Sequence, residues 1–158
     1  SVLNERSRDY FNVEAESPYM LIVAPVKEEI RRKLNEEEVP VMQSENLLER
    51  VVIKRSTVPA ITHVDYSARV QTVSEEKNER YYRLIKRLEK TTGCGLVVNT
   101  SFNIRGEPIV CTPQDAYRCF LCTDMDILVL GNFILIKKEQ PIESLKEKEK
   151  YIASFDLD

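Results

Sequence analysis

The chain has a single histidine, His63, and four cysteines, of which only Cys119 and Cys122 form a closely spaced pair. Four-ligand zinc sites built from paired Cys-x-x-Cys or Cys/His sets therefore lack most of their ligands, and no protein-held metal is expected. The cysteines Cys94, Cys111, Cys119 and Cys122 read instead as reduced, mostly buried small hydrophobes of a cytoplasmic protein. No apolar run approaches the roughly 18 residues of a membrane span, and the amino terminus has no apolar signal-peptide core. Neither G-x-G-x-x-G nor G-x-x-x-x-G-K-[ST] occurs, so a nucleotide would have to bind without a Rossmann fingerprint or a Walker loop. A net charge of −3 and a pI near 5.4 offer no general attraction to DNA, RNA or anionic lipid. No internal repeat or low-complexity tract is present.

What remains, 158 residues with 42% apolar and 31% charged content, is enough to bury one core. A domain over residues 1–140 is expected, with a charged, helical or frayed extension over 141–158. The opening SVLNERSRDYF is polar and lacks an obvious cap, as if cut from a larger protein. Residues 19–24 read as a strand entered through Pro18, and 26–38, rich in helix formers, as a helix ending at Val39-Pro40. Strands are expected over 47–54, 59–62 and 68–73, the last with the alternation of a half-buried sheet, and a turn or continuation over 63–66. Asn78 is placed to cap a helix whose Tyr81, Leu84, Ile85 and Leu88 form one apolar stripe, ended by Gly93 and Gly95. A strand over 96–99 follows. Thr112-Pro113-Gln114-Asp115 specifies a helix start over 113–121, and Asp126–Leu130 with Phe133–Lys137 read as a hairpin around Gly131-Asn132. The helix and strand order indicates an α/β fold.

Two stretches concentrate polar chemistry. In LVVNTSFNIRGEP, Leu96 to Pro108, an apolar strand gives way to Asn99, Thr100, Ser101 and Asn103, short donors and acceptors at a strand's C-terminal end, where α/β sheets place ligands. Upstream, Lys54, Arg55, His63 and Arg69 could meet a phosphate or carboxylate, because guanidinium grips such oxygens in a bidentate fork. Arg69 shares a strand face with Ser67 and Gln71. Lys54 and Arg55 could equally form a solvated strand edge, Arg69 a partly buried ion pair, and His63 a satisfied strand histidine with Asp65 pinning the turn.

The strings SPYMLIVAPV (17–26), VPAITHVDYSARVQTV (58–73) and VVNTSFNIRGEPIVCTPQDAYRCF (97–120) together resemble the C-terminal domain of the NodU/CmcH-type O-carbamoyltransferases. The resemblance implies a YrdC/Sua5-like α/β fold with a twisted mixed sheet and packed helices, following a large Kae1-like N-terminal domain absent from this chain. It implies that carbamoyl phosphate and ATP with Mg2+ are converted to carbamoyladenylate, and that the N-terminal domain, with a metal of its own, passes the carbamoyl group to an acceptor hydroxyl. Small molecules and that N-terminal domain are then the expected partners, with no role for nucleic acid or membrane.

Residue by residue, the resemblance implies catalytic roles for Arg69, His63 and Lys54. It places Arg55, Asn99, Thr100, Ser101, Asn103 and Arg105 as substrate ligands, and Asp65, Gly106 and Glu107 as supports. Phe102 is expected to anchor the loop in the core, and Tyr19 and Met20 to be core residues. Asn99, Ser101 and Asn103 could also serve simply to cap a tight turn. Two departures stand out: Tyr66 occupies a position usually held by glycine, and an R-P-F-A-P-type stretch that normally precedes VLNERSRDYF is missing. The competing readings are a non-catalytic nucleotide- or anion-binding module and threonylcarbamoyl-adenylate synthesis of the YrdC type. The NTSFN-GEP and THVD-ARVQT strings favour the carbamoyltransferase branch.

Overall fold

The computed structural model describes residues 1–141 together with Tyr151, Ala153 and Phe155. It divides into two compact units, Ser1–Asn99 and Thr100–Asp158. The charged extension expected after residue 140 lies almost wholly outside the described residues.

In the first unit the strands are β1 (Val2–Leu3), β2 (Ile22–Pro25), β3 (Ser67–Val70) and β4 (Thr72–Val73). β1 pairs parallel with β4, and β2 antiparallel with β3, with Val23 opposite Arg69 and Ala24 opposite Ala68. Alternation sorts β3: Ala68 and Val70 enter a core with Val2, Phe11, Ala24, Val26 and Leu96, while Ser67, Arg69 and Gln71 take the other side. Short helices α1 (Ser7–Tyr10), α2 (Glu38–Met42) and α3 (Leu47–Val51) precede the long α4 (Glu79–Thr92). The side chain of Asn78 caps α4 by accepting from the Tyr81 amide, and Gly93 ends it in the left-handed conformation at φ 76°. Ile85 is fully buried against Leu3 and Val73, flanked by Tyr81 and Tyr82. Leu84, expected in that stripe, is 62% exposed.

In the second unit α5 (Pro113–Cys122) begins in a full capping box. The Thr112 hydroxyl accepts from the Asp115 amide, and the Asp115 carboxylate accepts from the Thr112 amide. Its buried face, Ala116, Phe120, Leu121 and Cys122, packs with Leu128 of the antiparallel hairpin β5 (Ile127–Leu130) and β6 (Phe133–Ile136). Phe102 and Val110 complete this core. The four cysteines are free thiols; Cys119 and Cys122 are buried, Cys94 is half-buried and Cys111 is exposed. Desolvation, followed by Glu107, pushes the Cys119 thiol up to about 11, which keeps it protonated and inert at neutral pH.

The chain is thus an α/β fold with mixed strand pairing and packed helices, consistent with a YrdC/Sua5-like architecture. Several expected elements differ. Residues 26–37 hold only a 3-10 turn at Glu28–Ile30 before α2 starts at Glu38, because long-range partners take their backbone groups. The Lys27 amide bonds to the Tyr10 carbonyl, the Arg32 amide to that of Arg55, and the Thr57 amide to that of Ile30. Residues 47–51 are helical, not extended, capped by the Asn46 side chain on the Leu48 amide. Pro59–Ile61 is a 3-10 turn, and of residues 96–99 only Leu96 makes a bridge, to Val2. Tyr19 is 80% exposed instead of core, and Met20 beside it turns the chain at φ 56°. Among the described residues no helix is long and apolar enough to cross a membrane.

Candidate functional site

The outward side of β3 lines up the polar groups of the first unit. Ser67 and Arg69 stand at alternate positions of β3, about 7 Å apart, and Gln71 follows two residues on, just past the strand's end. At the first end the turn 63–66 folds back on the strand: the His63 amide donates to the Ser67 carbonyl at 2.8 Å and the Tyr66 amide to the His63 carbonyl at 3.1 Å. The side chains form a string. The Ser67 hydroxyl donates to Asp65 Oδ1 at 2.7 Å and lies 2.9 Å from His63 Nδ1. With its one proton engaged by Asp65, Ser67 accepts from Nδ1–H, which turns the Nε2 edge of the exposed ring outward. The Ser67 hydroxyl and then the Ser67 amide hold the Asp65 carboxyl below its ordinary range.

That depression makes the turn pH-sensitive. A carboxyl with a lowered folded-state pKa contributes stability that is present above its unfolded value, about 3.9, and is lost as pH falls through the lower folded value. Denaturant titrations at pH 7 and pH 3 are therefore expected to show a smaller acid-induced loss for Asp65→Asn than for the wild-type chain. An equal loss in both would remove Asp65 from the account of the turn.

Tyr66 sits in this turn at φ 62°, the left-handed conformation that explains why a glycine suits the position. The strain on an L-residue is about 1–2 kcal/mol, and the Arg31 guanidinium, 5.1 Å from the ring centroid, offsets part of it. The turn accommodates the tyrosine.

At the middle of the row Arg69 is exposed, and its Nε makes one long bond, 3.3 Å, to the Met20 carbonyl. Across the ribbon Val23 is its register partner, and Val23 and Leu21 are both exposed and apolar. At the far end the Gln71 Oε1 accepts from Asn99 Nδ2 at 2.7 Å and from the Ser1 hydroxyl at 2.5 Å. A small cleft lined by Ser1, Ile61, Arg69, Gln71 and Val97 opens beside them.

Lys54 and Arg55 are placed differently. Both lie in the loop after α3, not on a strand, and Lys54 is exposed. Arg55 is only 4% exposed. Its Nε donates to the His63 carbonyl at 3.1 Å, Nη1 to that of Arg50 at 2.6 Å and Nη2 to that of Thr62 at 3.0 Å. The guanidinium is committed to the backbone that supports the His63 turn, and it is not brought to the β3 row.

The remaining candidates belong to the second unit. Thr100, Ser101 and Arg105 are exposed, and residues 104–107 form a tight turn closed by the Glu107 amide on the Ile104 carbonyl at 3.1 Å. Gly106, at φ 81°, supplies the positive angle that a type II turn requires at its third position. Asn103 Nδ2 donates to the carbonyls of Ile104 and Glu107, at 3.0 and 2.9 Å, so its amide closes the same loop. Glu107 is buried and accepts from the Ile104 amide at 2.9 Å and from the Tyr151 hydroxyl. Burial, followed by this bond to Glu107, raises the Tyr151 phenol.

The family model for the carbamoyltransferase C-terminus matches residues 1–137. The chain belongs to this family. Among relatives of this carbamoyltransferase C-terminal domain, the uncharacterized protein sll1178 of Synechocystis sp. is 54% identical over 158 residues, all of this chain and 25% of its own length. Nodulation protein NolNO of Sinorhizobium fredii is 36% identical over 141 residues, 87% of this chain and 17% of its own. A 3'-hydroxymethylcephem-O-carbamoyltransferase of Streptomyces clavuligerus is 35% identical over 83 residues, 52% of this chain and 16% of its own. The carbamoyltransferase domain thus spans a quarter or less of the length of these curated relatives.

Within the domain, Gln71 is the member of this polar row that charge-based reading passes over. Its signal was its position, on the same strand side as Arg69 and two residues along. Among the described residues no group of three or more His, Cys, Asp or Glu side chains is placed to hold a metal ion.

Proposed function

We propose that this domain activates carbamoyl phosphate with Mg-ATP, forming carbamoyladenylate. Carbamoyl phosphate, ATP and water become carbamoyladenylate, inorganic phosphate and pyrophosphate: water cleaves the phosphate from the carbamoyl group, and a carbamate oxygen then attacks the α-phosphorus of ATP. The observation that carries this reading is the row along and just beyond β3, in which an exposed arginine stands between a histidine string and an amide pair.

The barrier to such chemistry lies in bringing polyanions together and stabilising charge as it moves, which favours fixed cations and donors over mobile ones. Arg69 suits the phosphoryl oxygens by charge and by its forked donors. His63, held at Nδ1 by Ser67, presents Nε2 as acceptor for the proton that water loses. Val23, the register partner of Arg69, and the exposed Leu21 two residues before Val23 give apolar surface beside the arginine that a nucleoside can cover. Mg2+ would be carried mainly by the ATP phosphates, as its preference for water and phosphate oxygens allows. Arg55 serves from beneath, by holding the carbonyls of the turn. Lys54, exposed on the adjoining loop, is a further cation for phosphate, and Thr100, Ser101 and Arg105 are the ligand candidates of the second unit.

The relatives' names support the chemical class: one is named a 3'-hydroxymethylcephem-O-carbamoyltransferase. In the whole protein, a large N-terminal domain would receive the carbamoyladenylate and transfer its carbamoyl group to a hydroxyl.

Calorimetric titration with carbamoyl phosphate and with Mg-ATP tests the site. Saturable binding of both is expected. Binding of Mg-ATP alone, with no response to carbamoyl phosphate, would favour a nucleotide-binding module instead.

A further inference from the structure

Gln71 sits between a group that can only accept and one that can turn either way. Its Nε2 lies 3.0 Å from the Pro18 carbonyl, which has no proton to give, so this end of the amide is the donor. Oε1 therefore points the other way, where it accepts from Asn99 at 2.7 Å and from the Ser1 hydroxyl at 2.5 Å. A backbone carbonyl thus sets the polarity of Gln71, and Gln71 sets that of Asn99. The Asn99 NH2 is turned to Gln71, which leaves Oδ1, a pure acceptor, directed away from it on an exposed residue.

We propose that Gln71 is a positioning residue that makes Asn99 an acceptor for the N–H of a carbamoyl group, so that the site selects carbamoyl phosphate over acyl phosphates of the same size. The inference rests on the acyl-phosphate reading above and adds to it the basis of acyl choice. Arg69, two residues from Gln71 on the same side of the strand, takes the phosphoryl end, while the acyl end meets Asn99. Carbamoyl phosphate offers an NH2 there; acetyl phosphate offers a methyl, which leaves Oδ1 without a partner. A site built around a hydrogen bond rejects the analogue that lacks it, and one neutral bond corresponds to a preference of about tenfold. An asparagine free to flip would present its own NH2 half the time and blur that preference.

The test is calorimetric titration of the 158-residue chain with carbamoyl phosphate and with acetyl phosphate, for wild type, Gln71→Leu and Gln71→Glu. The wild type is expected to favour carbamoyl phosphate about tenfold, and Gln71→Leu to reduce the ratio to about two- to threefold. Glutamate still accepts from Asn99 but cannot donate to the Pro18 carbonyl, so Gln71→Glu is expected to weaken both ligands through its charge and that lost bond, yet keep the ratio because either carboxylate oxygen holds the Asn99 NH2. This rescue separates positioning from a purely structural role, and circular dichroism confirms that each variant is folded. If both ligands bind wild type equally, or if the ratio survives in a folded Gln71→Leu, the inference is overturned while the acyl-phosphate site stands. If neither ligand binds the folded wild type, the site reading and the inference fall together.

Discussion

Replacing Arg69 with alanine is expected to weaken carbamoyl phosphate binding about 10- to 100-fold while leaving the fold intact, since a charge-assisted hydrogen-bonded contact is worth about 1.5–3 kcal/mol. The two effects separate because of where Arg69 stands. It is exposed, and its hydrogen bond to the chain is a 3.3 Å contact with the Met20 carbonyl, so stability should change by no more than about 0.5 kcal/mol. Arg69→Lys keeps the charge but loses the planar fork, and should recover only part of the affinity. Titration of the three proteins, each with a denaturation curve, checks the prediction. Unchanged affinity in folded Arg69→Ala would remove the central cation from the site.

Arg55→Met is expected to have the opposite profile. The guanidinium satisfies the carbonyls of Arg50, Thr62 and His63 from a buried position, and methionine fills the space without donating to any of them. Buried acceptors left unpaired cost about 1–3 kcal/mol each, with some relief from relaxation and water, so a total loss of about 3–5 kcal/mol is expected in urea denaturation. Lys54→Ala, one residue away but exposed, should stay within about 0.5 kcal/mol. If Arg55→Met kept wild-type stability and lost only phosphate binding, Arg55 would be a ligand and not a clamp. Because the turn it supports carries His63, any loss of function in Arg55→Met should track the loss of structure and be restored at low temperature or with a stabilising osmolyte.

The elements legible in the sequence were those whose chemistry is local. Asn78, Gly93 and the Thr112–Asp115 capping box each bond within a turn or two of themselves, and the helices they bound are in place. The hairpin around Gly131-Asn132 and the alternation of β3 were readable for the same reason. Residues 26–38 were misread because helix propensity is a small term, and here the amides of Lys27 and Arg32 donate to, and the carbonyl of Ile30 accepts from, backbone groups far along the chain. Residues 47–54 erred in the other direction: Leu47, Leu48, Val51 and Val52 look like a buried strand but are exposed on and just beyond a short helix.

The site followed the same division. Arg69 and His63 could be singled out as candidates because a charge on a patterned strand, or an imidazole in the turn before it, is visible in the sequence. Arg55 could not be told from a surface cation, since its burial depends on carbonyls brought together only by folding. Gln71, uncharged, matters through a bond to Asn99, 28 residues away, and one to Pro18, 53 away.

The central claim is activation itself, and its most direct measurement is product formation by the 158-residue chain supplied with Mg-ATP and carbamoyl phosphate. Inorganic phosphate and pyrophosphate are expected in equal amounts, only when both substrates are present, and at a sharply lower rate in Arg69→Ala. Binding of both substrates with no pyrophosphate above background would contradict the account and leave the domain as a binding module.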